Sequence, residues 1–122
     1  HAGWRSLAAG VLENTVSAMQ VAPQQIMAWL GPAIGAEVFE VGSEVREAFT
    51  QQHAAAHHAF VASSNAGRWL ADLYQLARIR LAACGVQAVY GGGLCTLTDA
   101  RFYSYRREPV TGRFASLVWL TE

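Results

Sequence analysis

Residues 69–93, WLADLYQLARIRLAACGVQAVYGGG, hold the reading on which the fold turns. Leu70, Leu73, Ala77, Leu81 and Cys84 recur at helical spacing, and Leu76 and Ile79 widen the stripe, which predicts a core-facing helix from Trp69 to Cys84. Gly85 supplies a left-handed stop. Val86 to Tyr90 then follow as a strand ending at Gly91, Gly92 and Gly93. Three glycines after a strand can bring backbone N–H groups to a phosphate, although such a run more often serves a loop that needs unusual dihedrals.

Upstream, Leu7, Ala8, Val11, Leu12, Thr15, Val16 and Met19 share one face of an expected helix from Arg5 to Met19. Ile26 to Leu30 reads as a buried strand closed by Gly31, Pro32 and Gly35, and Val38 to Val41 as another short strand. Ser43 can cap the next helix, with Glu44 in its first turn and Val45, Ala48 and Phe49 facing inward. Gln51 to Ala59 reads as an Ala-rich surface helix that runs into a loop at Ser63, Ser64, Asn65 and Gly67. Downstream, Phe102–Tyr105 and Phe114–Leu120 read as two strands joined by a turn at Glu108, Pro109, Thr111 and Gly112. The expected class is mixed α/β, with helices layered on mixed sheets rather than a regular βαβ repeat.

Composition limits the chain to one small core: 122 residues, 52% of them hydrophobic, carry a formal net charge of zero. A balanced chain has no field to hold a nucleic-acid backbone or an anionic membrane, so neither is an expected partner. No apolar run approaches the roughly 20 residues that span a bilayer. Cys84 and Cys95 are too few for a disulfide framework and point to a reducing, cytoplasmic setting.

Two groups of residues carry chemistry. His1 opens the chain ahead of Gly3 and a helix start, where an imidazole can serve as a metal ligand, although a leading histidine is also a common cleavage or tag remnant. His53 and His57 stand four apart, yet no third ligand lies near them in sequence, which weakens a zinc reading. All nine basic residues are arginine, and Arg101, Arg106, Arg107 and Arg113 fall in one short stretch. Arginine's planar fork suits carboxylate and phosphate, so the cluster suggests an oxyanion site. Its competing role is ordinary ion pairing with Glu40, Asp99 or Glu108.

Several segments together resemble one family. They are His1–Arg5, the Gly31–Gly35 turn with Phe39–Gly42, the Leu70–Arg78 helix, Gly91–Thr96, and the run Phe102–Arg107 followed by Thr111, Gly112 and Arg113. The SYRR-x4-TGR arrangement at 104–113 is the most specific of them. The family is the multicopper polyphenol oxidase, or laccase-domain, family, also described as purine nucleoside phosphorylases and as peptidoglycan-editing factors. The likeness runs along essentially the whole chain but matches only the C-terminal half of the family domain, so residues 1–122 are expected to be the C-terminal portion of a larger single domain.

The resemblance implies a metal held by two histidines and one cysteine. His1 matches the last of these ligands, and the other two would belong to an N-terminal half absent from this sequence. One ligand alone is an incomplete site. It further implies phosphorolysis of adenosine, inosine, guanosine or methylthioadenosine, with adenosine deamination, on zinc or alternatively copper. His1 would then be catalytic as a metal ligand. Arg5, Tyr105, Arg106 and Arg113 would contact purine nucleoside and phosphate, with Arg5 aided by the N–H groups of its helix start. Three rivals stay open: copper-dependent phenol oxidation, a Cys/His hydrolase acting on cell-wall precursors, and an inert fragment whose exposed strand edges promote association.

Overall fold

The computed structural model describes residues 1–119 and 121. Its first expected helix is two: α1, Trp4–Ala8, and α2, Val11–Ala18. Gly10 separates them at φ 91, a left-handed conformation that closes one helix and redirects the next. The apolar face survives the break, because Leu7 is buried and Leu12 and Val16 pack onto the core. Strand β1 is Met27–Leu30, within the expected segment.

The expected strand over 38–41 is displaced to β2, Glu40–Gly42, because Val38 and Phe39 are held in a turn by N–H bonds to the Gly35 carbonyl. Helix α3, Ser43–Thr50, buries Val45 and Phe49 as expected. Ser43 does not cap it. Gly42 occupies the cap position, and the Ser43 hydroxyl accepts the Trp69 indole N–H at 3.3 Å instead.

The expected surface helix around the histidines is a 3-10 segment, Ala54–Ala59, whose three-residue turn does not stack His53 over His57. The His57 ring nitrogen meets the Arg46 guanidinium at 2.9 Å. Strand β3, Phe60–Ala62, then forms where no strand was expected. Strand β4, Arg68–Ala71, takes the first residues of the expected long helix, so α4 spans only Leu73–Ala83. The helix start is fixed by Asp72, whose carboxylate accepts the Gln75 N–H at 2.9 Å. Tertiary pairing claims the residues before it. Strand β4 lies between its antiparallel neighbours, with Trp69 opposite Val41 on β2 and Ala62 on β3. The Glu40 carboxylate fastens the β3–β4 turn by accepting from Ser63 and Asn65, hydrogen bonds that hold its pKa below the usual value.

Gly85, at φ 84, ends α4 as expected, and β5, Ala88–Gly91, runs parallel to β1. A two-stranded parallel sheet and a three-stranded antiparallel sheet, both with helices packed near them, make the chain a mixed α/β structure. The main core joins Leu7, Phe39, Val41, Phe49, Phe60 and Leu76. A smaller one, Ile26, Leu81 and Val86, lies under β1 and β5.

Past β5 the expected hairpin is not formed among the described residues. The Arg107 guanidinium donates to the carbonyls of Thr96, Leu97, Asp99 and Phe102, gathering 96–107 into turns rather than an extended strand. Residues 114–119 follow without a partner strand, and Leu120, the last residue of the expected second strand, lies outside the described residues. No helix among the described residues is long and apolar enough to cross a membrane.

Candidate functional site

The expected site residues occupy different settings. His1 is exposed, and its ring folds back over Gly3 so closely that a β-carbon there would meet Nε2 at 2.9 Å. The Arg5 guanidinium sits 4.5 Å from the Trp4 ring centroid, and Trp4 itself packs on the main core. Arg106 lies 5.4 Å over the ring of Phe39, a buried member of that same core. The opening segment and the arginine-rich segment thus meet one apolar cluster. Arg5 and Arg106 make no ion pair among the described residues, which leaves their donors available for an anion.

The remaining members of the arginine cluster divide by role. Arg101 chelates Asp99 at 2.6 Å, and these hydrogen bonds hold the Asp99 carboxyl down at about 2, so the ion-pair reading is correct for this residue. Arg107 is committed to backbone carbonyls, and Arg113 donates to its own loop at Thr111 and Gly112, 3.2 and 3.0 Å away. Tyr105 is exposed. The anion field expected from a long first helix is correspondingly weaker, because α1 has only five residues to align.

Among the described residues no three His, Cys, Asp or Glu side chains converge, so the residues present do not by themselves fit the metal that the resemblance implies. His1 is one imidazole in solvent.

A separate cleft of about 440 Å³ opens between the Gly35–Val38 turn and residues 91–98, with Glu37, Asp72, Tyr74, Arg78, Cys95 and Thr98 on its walls. Its frame is well fastened. The Tyr74 hydroxyl accepts the Ala33 N–H and donates to the Leu94 carbonyl, both at 2.8 Å, while Arg78 donates to the carbonyls of Val89 and Gly91. The glycine run is structural here. Gly91, Gly92 and Gly93 all have φ between 75 and 91, a β-carbon at Gly91 would collide with the Leu30 carbonyl, and the Gly92 N–H is spent on that same carbonyl.

Cys95 lines this cleft, and the sequence reading gave it no role there. Burial pushes its thiol up, but the Thr98 hydroxyl and the N–H groups of Gly35, Thr98 and Leu97 bond to the sulfur and bring it down to about 7. The Gly35 N–H stands 3.2 Å from Sγ. Such hydrogen bonds favour the thiolate, the form in which a cysteine acts as a nucleophile. The available signal was the turn Cys95–Asp99, in which a cysteine starts a tight turn and presents its side chain to the next N–H groups.

Comparison with known proteins places the chain. The family model described as multi-copper polyphenol oxidoreductase laccase matches residues 1–121. A purine nucleoside phosphorylase of Pseudomonas aeruginosa is 64% identical over an alignment of 123 positions that covers 100% of this chain and 51% of that protein. The purine nucleoside phosphorylase YfiH of Escherichia coli is 56% identical over 98% of this chain and 49% of its own. Among solved structures, a Neisseria meningitidis protein matches with a TM-score of 0.87 at 52% identity, over 92% of this chain and 46% of that one. YlmD from Geobacillus stearothermophilus matches at 0.79 and 28%, over 91% and 44%. The chain spans about half the length of these relatives. With a match that runs from His1 to residue 121, the chain belongs to the multi-copper polyphenol oxidoreductase laccase family.

Proposed function

We propose that the longer protein to which this sequence corresponds is a purine nucleoside phosphorylase that cleaves adenosine, inosine, guanosine and methylthioadenosine, with adenosine deamination as a companion activity. The observation that carries this reading is the phosphorylase name borne by relatives up to 64% identical along this whole chain. The metal, zinc or alternatively copper, would take His1 as one ligand. Its other ligands, a histidine and a cysteine, would belong to the N-terminal half of the family domain.

In phosphorolysis a phosphate oxygen forms a bond to the anomeric carbon of the ribose while the bond to the purine nitrogen breaks. The purine leaves with the electron pair and takes up a proton. Positive charge grows on the sugar and negative charge on the base, so fixing phosphate on one face and orienting the nucleoside lower the barrier. Arg106 would contact phosphate or ribose; this is supported by its guanidinium lying 5.4 Å from the Phe39 ring centroid and forming no ion pair among the described residues. Arg113 serves as a phosphate or ribose contact from the same loop, with Tyr105 as a hydrogen-bonding or stacking partner. Arg113 reaches that role only if substrate draws it away from its own carbonyls. Arg5, held over Trp4, orients the His1 end of the site.

The test is steady-state phosphorolysis of inosine by the full-length protein, following hypoxanthine release against phosphate concentration. Arg106→Ala is expected to raise KM for phosphate by about tenfold or more, as loss of a charge-assisted contact of about 1.5–3 kcal/mol requires. Purine release that does not depend on phosphate would overturn the phosphorylase reading. An unchanged KM in Arg106→Ala would remove that residue from the site.

A further inference from the structure

Arg107 turns its guanidinium to main-chain carbonyls and forms no ion pair among the described residues. One terminal nitrogen donates to Thr96 and Leu97, both at 3.1 Å, and to Asp99 at 3.4 Å, while the other meets Phe102 at 2.6 Å. Its own backbone N–H and that of Glu108 return to the Ser104 carbonyl, at 3.1 and 2.9 Å, closing a turn whose inner residues are Tyr105 and Arg106. Ser104, at the base of that turn, is buried. Arg107 therefore ties the turn that carries Arg106 to the chain at 96–102. Phe39, whose ring centroid lies 5.4 Å from the Arg106 guanidinium, is fastened to the same segment from the other side. Its N–H bonds the Gly35 carbonyl, the Gly35 N–H meets Cys95 Sγ at 3.2 Å, and the Thr96 N–H meets the Ala33 carbonyl at 2.9 Å. The contacts close a ring that runs from Phe39 through Gly35, Cys95 and Thr96 to Arg107, Arg106 and back to Phe39.

We infer that Arg107 is a positioning residue for phosphate: its fork holds the Ser104–Arg107 turn so that the Arg106 guanidinium stays over Phe39, and it acts through Arg106 rather than by contact with the anion. This rests on the reading of Arg106 as a phosphate contact. The physical reason is preorganisation. Arg106 is exposed, and a long side chain held in its binding pose before the anion arrives loses less conformational freedom on binding. The residue type follows from the geometry of the link. A planar guanidinium presents donors on two nitrogens at a fixed angle, which lets one side chain gather carbonyls on both sides of a bend, whereas a lysine ammonium is a single point.

Calorimetric titration of the full-length protein with inorganic phosphate tests this, alongside steady-state phosphorolysis of inosine. Arg106→Ala and Arg107→Ala are each expected to weaken phosphate about tenfold, and the double variant to stay at about tenfold rather than reach about a hundredfold, because both changes remove the same charge-assisted contact. Arg107→Lys keeps the charge but loses the fork, so it follows Arg107→Ala, and it carries the comparison if the alanine variant does not fold. In turnover, KM for phosphate rises by a larger factor than kcat falls, a split that general loosening of the fold does not produce. Additive losses in the double variant, full phosphate affinity in Arg107→Lys, or an Arg107→Ala protein that binds phosphate as tightly as the unsubstituted one each overturn the inference. A silent Arg106→Ala overturns it too, as does an unsubstituted protein that binds no phosphate. The titration reads binding without turnover, so phosphate binding with no purine release overturns the proposed activity alone.

Discussion

A free cysteine keeps its proton above neutral pH, but the hydrogen bonds around Cys95 outweigh its desolvation and move it from 9.0 to about 7. Cys84 moves the other way, because burial at the end of α4 and the nearby Glu13 carboxylate both disfavour its thiolate. Alkylation of the native protein with iodoacetamide, followed by mass spectrometry across pH, should show Cys95 reacting with a midpoint near 7 while Cys84 lags. Removing the hydroxyl in Thr98→Val should raise the Cys95 midpoint. Equal midpoints for the two thiols would contradict the assignment. The shift also has a sign for stability. Between about 7 and 9.0 the folded chain has released a proton that the unfolded chain still binds, so this group's contribution grows with pH across that window and is lost as pH falls through 7. Asp99 acts with the same sign lower down, its contribution being lost as pH drops from 3.8 towards 2.

Among the elements, the contact of β1 with β5 is the one most dependent on a missing side chain. Gly91 and Gly93 are both left-handed, at φ 79 and 75, so alanine at either incurs about 1–2 kcal/mol of backbone strain. Only at Gly91 does a β-carbon also strike backbone, 2.4 Å from the Leu30 carbonyl, whereas at Gly93 it meets open space. Urea denaturation should therefore show Gly93→Ala losing about that strain alone and Gly91→Ala losing several times more, with loss of the parallel pairing. Comparable losses for both would mean that the close approach does not matter. The Gly85 end of helix α4 is legible in the sequence, whereas its Asp72 cap lies inside the helix expected from Trp69 to Cys84. Strand β4 just before it is not legible, because Trp69, Leu70 and Ala71 fit either period and only pairing with β2 and β3 settles their conformation.

Across the whole molecule, Arg80 is the tie that joins distant parts. It is buried on α4, meets Glu13 of α2 at 2.5 Å and donates to Gln52, just past α3, at 2.9 Å. Breaking a buried ion pair costs about 3–5 kcal/mol; with the Glu13 side chain 30% exposed, Arg80→Ala should lose about 2–4 kcal/mol in equilibrium unfolding. A loss below about 1 kcal/mol would place this pair with ordinary surface bridges. The sequence reading placed Arg80 inside a helix but gave it no partner, since Glu13 is 67 residues away.

The sequence by itself determined the mixed α/β class, α3, most of α4, β1, β5 and the family, because these rest on local periodicity, on glycine stops and on motifs such as SYRR-x4-TGR that are contiguous in the chain. Only the tertiary structure decided the break at Gly10, the three-stranded order β2-β4-β3, the folding of 96–107 around Arg107 and the lowered pKa of Cys95. The sheet order depends on which backbone groups find one another across space, and the others on one left-handed glycine and on turn and side-chain hydrogen bonds that do not repeat; none of these leaves a periodic trace along the chain.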